Sequence, residues 1–191
     1  MLNTAKQVAI AAISAALFAV FFFLSYLVAL PNFTFLYLPI ILLGVFPIWF
    51  GWGGLVGSML GGLIGGIFVE NLGYFAWVEV TVAFVIYIMN WALLPREATE
   101  LRTERSVPIL AGVYALTLFV GTCVILGQFV LLGLFPLDVA ALYLLPTFAL
   151  NVVIVAVACP VLIKTLSPRM KNWGMYSGTF ADWRNRRSTK T

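Results

Sequence analysis

Six long apolar stretches constrain this chain more than any other feature of its sequence. They cover residues 8–30, 34–50, 53–69, 74–94, 108–134 and 139–163. A helix needs about 20 mostly apolar residues to cross a bilayer, so each stretch has roughly the length of one transmembrane helix. Charged residues make up only 9% of the chain, against about 25% in soluble domains. We therefore predict an all-α membrane protein with six transmembrane helices.

Proline and glycine blur the boundary between the second and third stretches. Pro39 and Pro47 cannot donate backbone hydrogen bonds, so we expect a kinked or broken helix there. The third stretch has a glycine at every fourth position, which allows a neighbouring helix to approach closely. These are Gly53, Gly57, Gly61 and Gly65, with Gly54, Gly62 and Gly66 beside them. This pattern favours a tightly packed bundle without a wide aqueous pore.

The basic residues predict the orientation. Lys6 precedes the first stretch, three arginines lie in the loop 95–107, and the other seven basic residues lie from residue 164 onward. With the N-terminus inside, all 11 basic residues fall on the cytoplasmic face, as the positive-inside rule requires. We expect a multi-pass protein of the cell membrane with both termini in the cytoplasm. The six-helix domain would cover residues 1–166, followed by a basic cytoplasmic tail over 167–191.

The tail mixes basic and aromatic residues. Beside a membrane, this composition favours a topology signal or contact with anionic lipid over binding of nucleic acid. Trp173 and Trp183 are residue types that anchor segments at the membrane interface. The composition fits an interfacial segment and a disordered tail equally well.

A set of polar and aromatic residues falls on the predicted extracellular side and is the candidate substrate site. It consists of Tyr26, Glu70, Asn71, Tyr74, Trp77, Glu79, Gln128, Asp138 and Asn151. A carboxylate within lipid is costly unless it is paired or wet, so such residues usually face an interior cavity. Aromatic walls with carboxylates suit a flat, partly cationic organic molecule. In the alternative interpretation the aromatic residues form an interfacial belt and the acids are solvated, although we favour a functional role for Glu79.

Alanines repeat every four residues in the first stretch, at Ala11, Ala15 and Ala19. Residues four apart share one face of a helix, and alanines leave that face shallow enough for another helix to approach. This face is a candidate docking surface for a partner subunit. The alternative, which spacing alone favours, is packing within the chain's own bundle.

Several kinds of catalytic and metal site lack their usual residues. The chain has no histidine, the usual general base near neutral pH, to activate a serine nucleophile. Cys123 and Cys159 lie in apolar stretches, where we expect buried thiols rather than a disulfide or a metal pair. No P-loop motif is present. We therefore expect no enzymatic activity, no cofactor or metal site, and no ATP binding by a P-loop.

Parts of residues 38–63 resemble the second and third helices of the substrate-binding S components of energy-coupling factor (ECF) transporters. The matching segments read Leu-Pro-Ile-Ile-Leu-Leu-Gly at 38–44, Trp-Phe-Gly-Trp-Gly-Gly-Leu-Val-Gly at 49–57 and Gly-Gly-Leu at 61–63. The alanine repeat of the first stretch is similar to the first-helix motif of that family, two alanines separated by three residues. Size, six spans and the predicted orientation agree with an S-component-like bundle.

The resemblance implies a function and its partners. An S component binds a vitamin or similar micronutrient near the extracellular side and docks through its first helix onto a transmembrane coupling subunit, which is joined to two ATPases. It then topples in the membrane and releases the substrate inside. By this resemblance residues 31–34 would form a gate over the pocket.

Two questions stay open at this point. The acids and aromatics favour a cationic or amine-bearing heterocycle as substrate, and the absence of histidine argues against nickel or cobalt. The competing function is that of a structural membrane scaffold of the cell-shape or wall-assembly type, which can share a six-helix layout.

Overall fold

The structure is a computed structural model that describes residues 4–28, 36–70 and 73–188, with the side chains of 28, 69, 70, 73–75 and 187 left out. The described part is helical. Its helices are α1 (Thr4–Val28), α2 (Pro39–Glu70), α3 (Gly73–Leu93), α4 (Arg96–Thr99), α5 (Ser106–Leu131), α6 (Leu137–Asn172) and α7 (Phe180–Ser188). Within this part, five helices (α1, α2, α3, α5 and α6) are long and apolar enough to cross a membrane. The structure thus confirms the prediction of an all-α chain with several helices that are long and apolar enough to span a membrane.

The second and third predicted helices form one element, α2, with a break at Gly51. The backbone there has φ 51° and ψ −131°, which is far from helical geometry and readily open only to glycine. We call residues 39–50 α2a and residues 52–70 α2b. The break does not occur at the prolines that suggested it. Pro39 is the first residue of the helix, where a missing N–H costs nothing, and Pro47 lies within α2a.

The segments α2a and α2b lie side by side and run in opposite directions. Next to the break, Gly54 of α2b lies against Phe46 of α2a. At the other end, Tyr37 and Gly61 both contact Phe18 of α1. A continuous helix would separate residues 37 and 61 by about 36 Å, so the chain folds back on itself at the break.

Glycines on two faces of α2b allow this close packing. Those at 53, 57, 61 and 65 face α1, and those at 54, 62 and 66 face α3. A methyl group on Gly57 would lie 2.5 Å from the Ala11 carbonyl oxygen, and one on Gly61 would lie 2.6 Å from that of Ala15. The glycine repeat therefore serves close packing within the bundle, as the sequence indicated.

The segment α2a is the buried centre of the bundle, and residues 42–50 are all buried. Pro47 cannot donate to the Leu43 carbonyl four residues earlier. The Asn90 amide of α3 donates to that carbonyl at 3.1 Å, and its oxygen accepts a hydrogen bond from Thr117 of α5 at 2.7 Å. Neighbouring side chains thus satisfy the carbonyl group that the proline leaves free, which is how membrane helices tolerate proline.

Three basic segments of the chain meet at the end of the bundle where Gly51 lies. Lys6 donates to the Trp173 carbonyl at 2.7 Å, and Lys171 lies 3.2 Å from the Glu100 carboxylate. Burial alone would raise the pKa of Glu100, but the hydrogen bond and charge of Lys171, together with nearby arginines, hold that pKa below its ordinary value. The N-terminus, the loop after α3 and the tail are therefore joined at one end of the molecule.

The structure describes the tail as far as residue 188. Helix α6 continues to Asn172, six residues past the predicted domain boundary at 166. Residues 173–179, which we call the strap, then pass across the Gly51 end of the bundle and lead into α7. Of the two cysteines, Cys159 is buried as expected, but Cys123 is exposed because it lies on the outward face of α5.

Replacing Gly57 with alanine should destabilise the protein. The added methyl group meets α1 backbone, and overpacking costs about 1–3 kcal/mol, more than the roughly 1 kcal/mol gained in helix propensity. Gly112 of α5 has nothing within 4 Å of an added methyl group and provides the control. Thermal unfolding in detergent should show a lower midpoint for G57A and an unchanged or higher one for G112A. Equal midpoints would contradict the packing described here.

Replacing Asn90 with alanine should cost about 2 kcal/mol, because the Leu43 carbonyl then stays buried without its donor. Alanine at position 47 would restore a backbone N–H in reach of that carbonyl. In a double-mutant cycle of N90A and P47A, followed by thermal unfolding, the double variant should be less destabilised than the sum of the single variants. Simple additivity would show that Asn90 does not compensate for the proline.

Candidate functional site

Three of the helices send polar side chains to the start of α2a. The Tyr37 hydroxyl donates to Glu79 of α3 at 2.5 Å, and its backbone N–H donates to Asn151 of α6 at 3.2 Å. The next N–H, of Leu38, donates to Ser25 of α1 at 2.8 Å. N–H groups at and just before the start of a helix have no acceptor within the helix, and here side chains of other helices supply acceptors alongside nearby carbonyls. We call Tyr37, Glu79, Asn151 and Ser25 the Tyr37 cluster.

Glu79 lies inside the bundle rather than at a helix end. It is six residues after the start of α3, which is about 9 Å along the helix axis. Its Cβ is 3.6 Å from where a methyl group on Gly62 would lie, so the glycine of α2b leaves space beside it. The side chain is only partly exposed. A carboxylate in this position needs partners, and the Tyr37 hydroxyl is one of them.

Aromatic rings enclose the Tyr37 side of the cluster. The ring of Phe18 lies 6.5 Å from that of Tyr37 and the ring of Phe22 lies 6.0 Å from it, both in edge-on arrangements. Both phenylalanines are fully buried. Low polarity around the Tyr37–Glu79 hydrogen bond strengthens it and makes its loss more costly.

Gln128 of α5 carries a buried side-chain oxygen with no hydrogen-bond partner among the residues that the structure describes. It lies two helical turns after Gly121, on the same face of α5, and Gly121 contacts Ile86 and Val82 of α3. Gln128 is therefore on the face of α5 that meets α3. Buried acceptors are rarely left without a donor, so this oxygen is suited to accept a hydrogen bond from a bound molecule.

Other predicted site residues point away from the Tyr37 cluster. Trp77 is 68% exposed and Tyr26 is 54% exposed, which fits the interfacial belt of the alternative interpretation. Asp138 is exposed in the first turn of α6, where its charge suits the helix dipole. The polar residues of this side thus divide between the bundle interior and its surface.

Three other predicted residues and the predicted gate lie at or beyond the ends of the described segments. The structure describes Glu70 and Tyr74 only by their backbone, at the end of α2b and the start of α3. Asn71 and the predicted gate, residues 31–34, lie outside the described residues.

The sequence analysis missed Tyr37 and Ser25. One signal was available: proline is favoured at the first position of a helix, so Pro39 marks a helix start, where N–H groups take acceptors from outside the helix. Nothing in the sequence points to Ser25 as one of those acceptors, because the contact depends on how α1 packs.

The predicted docking face of α1 lies partly within the bundle. Ala15 is buried against Gly61, the Ala11 carbonyl lies against Gly57, and Ala19 is half-buried. The exposed alanines of the helix, at 5, 9, 12 and 16, lie beside this face, since Ala12 and Ala19 are two helical turns apart. One edge of the alanine surface of α1 therefore packs inside the chain, and the neighbouring edge is exposed.

Comparison with known proteins gives no relative from which a function could be transferred. No protein-family model matches the chain, and it has no significant match among curated proteins or solved structures. The family to which it belongs is therefore not shown, and the Tyr37 cluster is the basis for the function proposed below.

Proposed function

We propose that this protein is the substrate-capture subunit of an ATP-driven importer of the ECF type. The observation that carries the proposal is the Glu79 carboxylate, which lies within an apolar bundle and is held by Tyr37. An ionisable residue at such a position is expensive and is usually a functional one. A substrate that offers a cation or hydrogen-bond donors would give this carboxylate its role.

We place six passes in the membrane, with α2a and α2b as separate passes and the Gly51 end in the cytoplasm. The meeting of Lys6, the loop after α3 and the tail at that end supports this orientation, because positive charge stays on the cytoplasmic side. A chain that folds back at Gly51 and crosses the membrane six times would have both its termini on one side.

The length of α2a supports a substrate site on the extracellular side of the Tyr37 cluster. Its 12 residues make a helix of about 18 Å, well short of the roughly 30 Å hydrocarbon core. Its neighbours extend further: α3 begins about 9 Å before Glu79, and α6 begins about 21 Å before Asn151, measured along each helix. The cluster then forms the floor of the site, below the ends of these longer helices.

The chemistry of the site favours a flat, nitrogen-bearing heterocycle of the vitamin type. Glu79 and the Gln128 oxygen are both hydrogen-bond acceptors, so the substrate should present N–H groups or a positive charge. Neighbouring aromatic rings suit a flat molecule.

The exposed alanines of α1 are the surface that we propose for the coupling subunit, which would be joined to two ATPases. Ala12 and Ala16 leave a shallow strip on the outward side of α1, where another helix can approach closely. The expected docking residues Ala11, Ala15 and Ala19 lie beside this strip, and the first two pack on α2b at Gly57 and Gly61.

A structural membrane scaffold is the second candidate function. It is favoured by the outward orientation of Trp77 and Tyr26, since an interfacial belt needs no substrate. It gives no reason for a carboxylate within the bundle.

Small molecules that stay with the purified protein should identify the substrate. Mass spectrometry of denatured preparations should find a nitrogen-bearing heterocycle with the wild type and with E104Q, a control in the exposed loop after α4. In E79Q the bound amount should fall about tenfold or more, because the charge-assisted hydrogen bond is lost. Preparations that never contain such a molecule would favour the scaffold, and equal amounts in E79Q would remove Glu79 from the site.

Bulky residues on the exposed strip of α1 should prevent docking. The double variant A12L/A16L should lose co-purification with the coupling subunit and its ATPases, because leucine side chains hold the helices apart. A92L, on the exposed part of α3, provides the control. Undiminished co-purification of A12L/A16L would exclude this face of α1.

A further inference from the structure

The strap at the Gly51 end completes α2a by capping it from the far end of the chain. The last carbonyls of a helix have no donor within the helix. Ser177 donates its backbone N–H to Trp49 O at 2.9 Å, and Gly178 donates to Ile48 O at 2.8 Å. Residues about 130 positions apart in sequence thus form one helix terminus, at a site where water is largely excluded.

The strap also binds α3. Trp91, near the end of that helix, donates its indole N–H to the Gly178 carbonyl at 3.0 Å. The rings of Phe180 and Trp183 in α7 lie 5.2 Å and 5.8 Å from that of Trp91, and they stack on each other. The strap and α7 therefore bridge α2a and α3 at this end of the bundle.

The Tyr37 cluster bridges the same two helices at their other end. Trp49 of α2a is 12 residues after Tyr37, which lies two residues before that helix begins, and Trp91 is 12 residues after Glu79 on α3. Each of these two segments therefore carries a link near both of its ends. Between these links, Asn90 donates to the Leu43 carbonyl. The two helices form a frame of about 18 Å in length, closed by hydrogen bonds at both ends.

We infer that this frame couples the Tyr37 cluster to the strap, so that loosening either end loosens the other. The interior of the frame is buried and closely packed, so α2a and α3 move as rigid bodies rather than bending. The strap is the weaker end. It is short and lacks regular structure, and its first two residues are exposed, as expected of a segment that opens locally before the helices do.

A change in the hydrogen bonds of the Tyr37 cluster therefore alters the contacts of the strap at the opposite end of the molecule. If the Tyr37–Glu79 hydrogen bond breaks, the end of α2a that carries the Ile48 and Trp49 carbonyls can shift away from the strap amides. The inference concerns contacts within the chain, so it holds whichever molecule binds at the cluster and does not depend on the proposed importer function.

Hydrogen–deuterium exchange of the full-length protein in detergent tests the coupling in one direction. Y37F removes the hydroxyl that binds Glu79, and Y143F removes an exposed hydroxyl on α6 as the control. Exchange of the strap peptide that contains Ser177 and Gly178 should become about tenfold faster in Y37F and stay unchanged in Y143F. A peptide from the start of α5 should exchange at the wild-type rate in both. Unchanged strap exchange in Y37F, or an equal acceleration in α5, would overturn the inference.

The reverse direction uses α7. W183A removes the ring that packs on Trp91, and Y143A removes an exposed aromatic ring of α6 as the control. Because coupling between two sites is reciprocal, exchange at the amides of Tyr37 and Leu38 should accelerate in W183A and not in Y143A. This experiment also tests the coupling between the strap and the Tyr37 cluster if Y37F fails to fold. No acceleration at these two amides in W183A would overturn the inference.

Discussion

The structure depends on satisfying the backbone polar groups of one short helix that is buried at the centre of an apolar bundle. Within a membrane protein, little water is present to replace a missing hydrogen bond, so each free N–H and carbonyl group is costly. Ser25 and Asn151 satisfy the start of α2a, and Ser177 and Gly178 satisfy its end. Residues of α1, α6 and the tail thereby form hydrogen bonds with the same central helix.

This constraint also explains why the candidate site lies where it does. The helix α2a begins below the ends of its neighbours, so the acceptors for its first N–H groups collect within the bundle. Glu79 joins them through the Tyr37 side chain. A carboxylate is not needed to cap α2a, since Ser25 and Asn151 already serve that purpose. That the cap does not require this carboxylate is the main reason for the proposal that Glu79 binds a substrate.

The sequence predicted the long helices well and the break in α2 only approximately. Apolar length defines α1, α3 and α5 to within a few residues, but α6 extends to Asn172 because its last turns are polar and lie outside any apolar stretch. Gly51 is one of several neighbouring glycines, and composition does not distinguish which one adopts a positive φ. For the site, sequence identified Glu79 and Asn151 but also Trp77 and Tyr26, since polarity alone does not reveal the face of a helix.

The fold-back at Gly51 is the central claim, and a distance between spin labels at positions 36 and 68 tests it most directly. Phe68 is exposed near the end of α2b, and Leu36 precedes α2a at the same end of the bundle. In a background without the two native cysteines, double electron–electron resonance between the labels should give a distance of roughly 20 Å. Positions 36 and 68 lie on neighbouring segments at the same end of the bundle, so at most about two helix diameters separate them. A distance above about 40 Å, as in a single continuous helix, would contradict the fold described here.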